Sequence, residues 1–118
     1  MCILLVDDEE LVRECVSAYL EERGYRVLQA RDGKHALEVA LEFGHRIKAV
    51  VSDIEMPCLN GVEMWKRMKE LVTPACRILF LSGNASQYGP RELGGECLGK
   101  PASLSQIAAK VNDIVSSS

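Results

Sequence analysis

The strongest constraint on this chain is an alternation: five short apolar runs, mostly of branched residues, take turns with longer stretches that carry apolar residues at helical spacing. Ile3 to Val6 is the first run, patterned as a strand buried on both faces, and it ends abruptly in Asp7, Asp8, Glu9 and Glu10. Leu11, Val12, Cys15, Val16, Tyr19 and Leu20 then mark the apolar stripe of a helix, with Gly24 as its left-handed terminator. Tyr25 to Ala30 reads as a second strand, Asp32 as an N-cap, Ala36, Leu37, Ala40 and Leu41 as a second stripe, and Gly44 as its stop. A third strand, Ile47 to Ser52, ends in Asp53. The Pro and Asn-Gly content of Glu55 to Gly61 makes a loop, and Val62, Trp65, Met68 and Leu71 form the inner face of a third helix.

Arg77 to Leu81 is the fourth strand, ending in Ser82 and Gly83. From Asn84 to Glu96 the glycines and Pro90 leave room for only a short or irregular helix. Cys97 and Leu98 read as a brief fifth strand before Gly99, Lys100 and Pro101. The final helix opens on Ser103-Leu104-Ser105-Gln106, which has capping-box form, and runs with Ile107, Ala108, Val111, Ile114 and Val115 on one face. Ser116 to Ser118 reads as a frayed tail.

Parallel strands need crossover connections, so this order of elements implies an α/β, doubly wound parallel sheet of five strands in a single domain, residues 1–118. A chain of this length buries roughly two thirds of its unfolded surface, enough for a core without metal or disulfide staples. The five cysteines are scattered and never form C-x-x-C, which indicates reduced thiols rather than a disulfide framework or zinc site. A net charge of −3, with no basic run longer than two, argues against nucleic acid as the direct ligand. No apolar run approaches the ~20 residues of a membrane span and no leader pattern opens the chain, so a cytoplasmic location is expected.

Right-handed crossovers place every strand's carboxyl end on one sheet edge. That edge collects Asp7 and Asp8 after strand one, Asp53 after strand three, Ser82 after strand four and Lys100 after strand five. Strand two contributes nothing comparably reactive, which fits the order 2-1-3-4-5, with strands one and three adjacent. Three converging carboxylates repel one another by a few kcal/mol per pair at ~4 to 6 Å, so they take up protons or recruit a cation. Hard oxygen ligands open to water and phosphate favour Mg²⁺. A metal-bound Asp is also a competent nucleophile toward phosphorus, with Lys100, Ser82 and backbone N–H groups available to neutralise phosphoryl oxygens. Singly, each of these residues is more often a cap, a turn residue or a solvated charge; it is their coincidence at successive strand ends that points to phosphoryl chemistry.

With Ile3-Leu4-Leu5-Val6-Asp7-Asp8-Glu9, Asp53-Ile54-Glu55-Met56-Pro57 with Gly61, Phe80-Leu81-Ser82-Gly83 and Leu98-Gly99-Lys100-Pro101 in this spacing, the chain resembles a receiver domain of a two-component response regulator. The resemblance covers essentially the whole chain. It implies a flavodoxin-like receiver fold in which Asp53 accepts phosphate from a phosphohistidine on a histidine kinase or histidine phosphotransfer protein. Asp8, Asp53 and the backbone carbonyl of Glu55 would ligate Mg²⁺, Asp7 would act largely through a bound water, and Ser82 and Lys100 would contact the phosphoryl oxygens. Glu55 and Asn84 would tune hydrolysis of the phosphate. Homodimerisation is left open, and catalysis is expected to be limited to the domain's own phosphorylation and dephosphorylation.

Two departures from the family stand out. Cys97 occupies a position where receivers usually carry an aromatic that swings inward, and the stretch from Ser82 to Cys97 is several residues short and broken by Gly89-Pro90. Ala102 after Pro101, and the last helix, resemble receivers attached to hybrid sensor kinases. Two other readings compete: a pseudo-receiver that binds partners without being phosphorylated, and a phosphatase of the haloacid-dehalogenase type. The second lacks its Asp-x-Asp signature, since Asp7-Asp8-Glu9 does not match, and 118 residues leave no cap.

Overall fold

The computed structural model describes residues 1–84 and 94–116. Within them the expected alternation is present: β1 (Cys2–Val6), α1 (Glu10–Glu22), β2 (Arg26–Ala30), α2 (Gly33–Phe43), a single 3₁₀ turn (Gly44–Arg46), β3 (Ile47–Asp53), α3 (Gly61–Met68), β4 (Arg77–Ser82), β5 (Glu96–Gly99) and α4 (Leu104–Ser116). The five strands are all parallel, in the order β2-β1-β3-β4-β5. The short or irregular helix expected between Asn84 and Glu96 lies outside the described residues.

Strand period divides the core into two layers. Leu4, Val6, Val50, Ile78 and Phe80 point to the face covered by α2 and α3, where they pack with Ala36, Ala40, Met64, Trp65 and Met68. Ile3, Leu5, Ala49, Val51, Leu79 and Leu81 point to the opposite face, against Val16 and Leu20 of α1 and Ile107, Ala108, Val111 and Ile114 of α4. With helices on both faces, the central strands have no polar side, which is why β1 and β3 read as nearly continuous apolar runs.

The helix signals are borne out at their starts. Asp32 accepts from the His35 N–H at 2.7 Å. Ser103 and Gln106 form the reciprocal capping box, Gln106 N–H to Ser103 Oγ at 3.1 Å and Ser103 N–H to Gln106 Oε1 at 2.9 Å. Both helix terminators stand where expected: Gly24 takes a positive φ of 93°, and Gly44 is the C-cap of α2, right-handed at φ −50° and leading into the 3₁₀ turn. Its role is close approach: a Cβ there would sit 2.0 Å from the Leu71 carbonyl oxygen. The α1 stripe is narrower than its periodicity implied. Val16 and Leu20 are buried, while Leu11 is 77% exposed, Val12 40% exposed and Cys15 exposed.

Candidate functional site

Sheet register carries the reactive residues to one edge. Val6 pairs with Ser52, so the next residues, Asp7 and Asp53, emerge on neighbouring strands; Asp53 pairs with Leu81 and Ser82 with Gly99, so Ser82 and Lys100 continue the row. Backbone hydrogen bonds extend the ladder past the strand ends, Ile54 N–H to Leu81 carbonyl at 3.0 Å and Lys100 N–H to Ser82 carbonyl at 2.8 Å. The start of α3 is held against the same point: Gly61 N–H donates to the Ile54 carbonyl at 2.8 Å. A Cβ on Gly61 would lie 2.2 Å from the Asp53 carbonyl oxygen, so only glycine lets the helix approach this closely.

Asp7, Asp8 and Asp53 each offer a carboxylate oxygen within 4.8 Å of the others. Asp7 and Asp53 are buried, at 3% and 1% exposure, and Asp8 is open to solvent. Asp7 is fixed by a bond from the Glu9 N–H to its Oδ1 at 2.8 Å, and its carbonyl accepts from Arg13 at 2.8 Å. Neither oxygen of Asp53 has a well-aligned hydrogen-bond donor; Oδ1 has instead the ammonium of Lys100, in an ion pair at 2.7 Å. A buried carboxylate whose oxygens have no aligned hydrogen-bond donor, beside two more carboxylates, is a donor set that fits a small hard cation such as Mg²⁺.

The electrostatics follow from the packing. Burial raises the Asp53 pKa, the contact with Lys100 opposes it, and the charge of Asp7 raises it further, for a result of about 7 against an ordinary 3.8. Burial pulls the Lys100 pKa down, but its bond to Asp53 and the charges of Asp53, Asp7 and Glu9 outweigh this and leave it raised. Lys100 is therefore a cation in the neutral range.

Ser82 is buried beside this group, and its Oγ donates to both carboxylate oxygens of Glu55, at 2.9 and 2.8 Å, while accepting from the Asn84 N–H at 2.9 Å. Sequence reasoning had assigned Glu55 a backbone role and an influence on hydrolysis, and gave no sign that its side chain reaches Ser82. Cys97 on β5 is half-buried, its thiol pKa raised by burial and then by the charge of Glu55. The apolar groove beside the acidic cluster was also missed. It has a volume of about 610 Å³ and is lined by Leu11, Val12 and Cys15 of α1, Leu104 of α4, and Asp7 and Lys100 of the site. The exposed Leu11 and Val12 on the first turn of α1 were its sequence signal, absorbed there into the buried stripe.

The chain matches the response regulator receiver domain family over residues 3–112. It is 35% identical over 117 residues to the sensor kinase CckA of Brucella abortus, a match that covers 96% of the chain and 12% of that protein. Among solved structures, the receiver domain of the hybrid histidine kinase CckA superposes with a TM-score of 0.85 at 32% identity, covering 98% of this chain and 99% of that one. The response regulator TrrA of Thermotoga maritima, solved in complex with Mg²⁺ and a beryllium fluoride, superposes with a TM-score of 0.78 at 28% identity over 97% of this chain and 99% of that one.

Proposed function

The chain belongs to the response regulator receiver domain family, the regulatory domains of two-component phosphorelays, and on that footing we propose that Asp53 is its phosphoacceptor in a Mg²⁺-dependent transfer. The observation that carries this reading is the state of the Asp53 carboxylate: buried, its oxygens without aligned donors, paired at 2.7 Å with Lys100 and within 4.8 Å of Asp7 and Asp8. The ionised carboxylate attacks phosphorus, the new O–P bond forms as the P–N bond of a phosphohistidine breaks, and the imidazole leaves with the electron pair. Lys100 and the Ser82 hydroxyl neutralise phosphoryl oxygens. Asp8, Asp53 and the Glu55 carbonyl would hold Mg²⁺, with Asp7 acting through a water; when bound, the ion supplies further neutralisation of the same oxygens.

The donor in this reading is a histidine kinase or histidine phosphotransfer protein. The groove between α1 and α4 supports a protein donor, because the exposed apolar Leu11 and Val12 line it together with Asp7 and Lys100. Residues 1–118 act as one cytoplasmic receiver, and its catalysis is confined to gaining and losing its own phosphoryl group. Among the described residues no helix is long and apolar enough to cross a membrane. The pseudo-receiver and dehalogenase-type readings have no observation in their favour, since the acceptor set is intact and the site lacks the Asp-x-Asp arrangement.

Incubation with a small phosphodonor and Mg²⁺ tests the reading. Intact mass should rise by one phosphoryl group in the wild type and stay unchanged in Asp53→Asn. A wild type that gains nothing at saturating Mg²⁺ would defeat it.

A further inference from the structure

A serine hydroxyl has one proton to give, and that of Ser82 is already committed. Its Oγ donates to both oxygens of the Glu55 carboxylate, at 2.9 and 2.8 Å, and accepts from the Asn84 N–H at 2.9 Å. Its carbonyl accepts from the N–H of Lys100 at 2.8 Å, and the Lys100 ammonium sits 2.7 Å from Asp53 Oδ1. Ser82 thus joins the loop after β3, the point where the chain leaves β4, and the end of β5.

We propose that Glu55 is a latch on Ser82, its carboxylate competing with a phosphoryl group on Asp53 for the single hydroxyl proton. The inference rests on the reading of Asp53 as phosphoacceptor and of Ser82 as a donor to the phosphoryl group. In the unphosphorylated protein a charged acceptor holds the hydroxyl, and hydrogen bonds to ionised acceptors are the stronger kind. Phosphorylation adds negative charge two residues from Glu55, so the same event that offers Ser82 a new acceptor repels the old one. Rotation of Ser82 then pulls on the Asn84 N–H, which transmits the change to the backbone after β4. Glu55 is in this sense a positioning residue: it sets how readily Ser82 becomes available.

Beryllofluoride with Mg²⁺, a phosphoryl mimic, provides the test. Its affinity for the full chain is measured by calorimetry in wild type, Glu55→Ala, Glu55→Gln and Ser82→Ala, and in Ser82→Ala combined with each Glu55 variant. Glu55→Ala should bind about tenfold tighter than wild type, the scale of one hydrogen bond to a charged group. Glu55→Gln, which keeps one neutral acceptor, should gain less; in the Ser82→Ala background the two variants should gain equally and clearly less than Glu55→Ala does alone, since only relief of charge repulsion is left there. The Asn84 amide resonance should also move in Glu55→Ala with no ligand added. A gain that persists undiminished without the Ser82 hydroxyl, or no gain at all, overturns the latch while leaving Asp53 as phosphoacceptor. A wild type that binds no better than Asp53→Asn overturns the phosphoacceptor reading, and the latch with it.

Discussion

On the β1 and β3 side of the pocket three carboxylates crowd within 4.8 Å and the oxygens of Asp53 lack aligned donors, whereas on the β4 side the Ser82 hydroxyl already gives and accepts hydrogen bonds. The first side is charge waiting for a ligand. The second is a satisfied network that a ligand has to break. Lys100 belongs to both, with its backbone N–H on Ser82 and its ammonium on Asp53. A signalling site needs both kinds of wall, because affinity comes from groups left unsatisfied and a conformational response comes from groups that must change partners.

Removing the link between the two walls should have the largest effect. Lys100→Met keeps length and takes away the charge, and phosphorylation by a small donor should slow by roughly 100-fold or more, as for loss of one preorganised charge-stabilising group. The Asp53 pKa should climb further in the same variant, because Lys100 is what opposes the burial that raises it. Phosphorylation kinetics by mass and a carboxyl-carbon NMR titration measure the two. An unchanged rate would mean that the carboxylate wall works alone.

The unsatisfied wall should also cost stability, with a defined sign. The folded-state pKa of Asp53, about 7, lies above its ordinary 3.8, so the fold favours the protonated form. That contribution is complete below about pH 4 and is lost as pH rises through about 7. In chelator, Asp53→Asn should therefore be more stable than wild type at pH 8, and the difference should close as pH falls toward 4. Full linkage would give ~4 kcal/mol; solvent reaching the open side of the pocket reduces this to about 2 kcal/mol. Urea unfolding across pH measures it, and excess Mg²⁺ should erase most of the gap at pH 8. Equal stabilities at pH 8 without metal would show that the carboxylates are not in conflict.

The two walls were unequally legible in the sequence. Asp7, Asp8, Asp53 and Lys100 could be placed because strand ends are read from period and register follows from a buried sheet, so residue type and position already specify a row. The contact from Glu55 to Ser82 spans 27 residues and depends on a side-chain rotamer above a loop, which no periodicity encodes. Gly44 was legible as the stop of α2, but its close approach to the Leu71 carbonyl was not, because that neighbour is supplied only by the tertiary fold. The α1 stripe failed differently. Leu11, Val12 and Cys15 keep helical period with Val16 and Leu20, and period cannot say how much of a stripe the sheet covers.

That uncovered end of α1 yields the smallest predicted effect and the cleanest separation of fold from function. Leu11 is 77% exposed in the groove that Asp7 and Lys100 also line. Leu11→Glu should leave unfolding stability within about 0.5 kcal/mol of wild type, as for other surface substitutions. Phosphorylation by a small donor, which needs only the pocket, should be unaffected. Transfer from a phosphohistidine protein that docks in the groove should fall about tenfold, the scale expected when a charge replaces one apolar contact. Parallel assays with both donors decide the matter: equal slowing with both would place Leu11 in the acceptor chemistry, and no slowing with the protein donor would move docking away from the α1 and α4 groove.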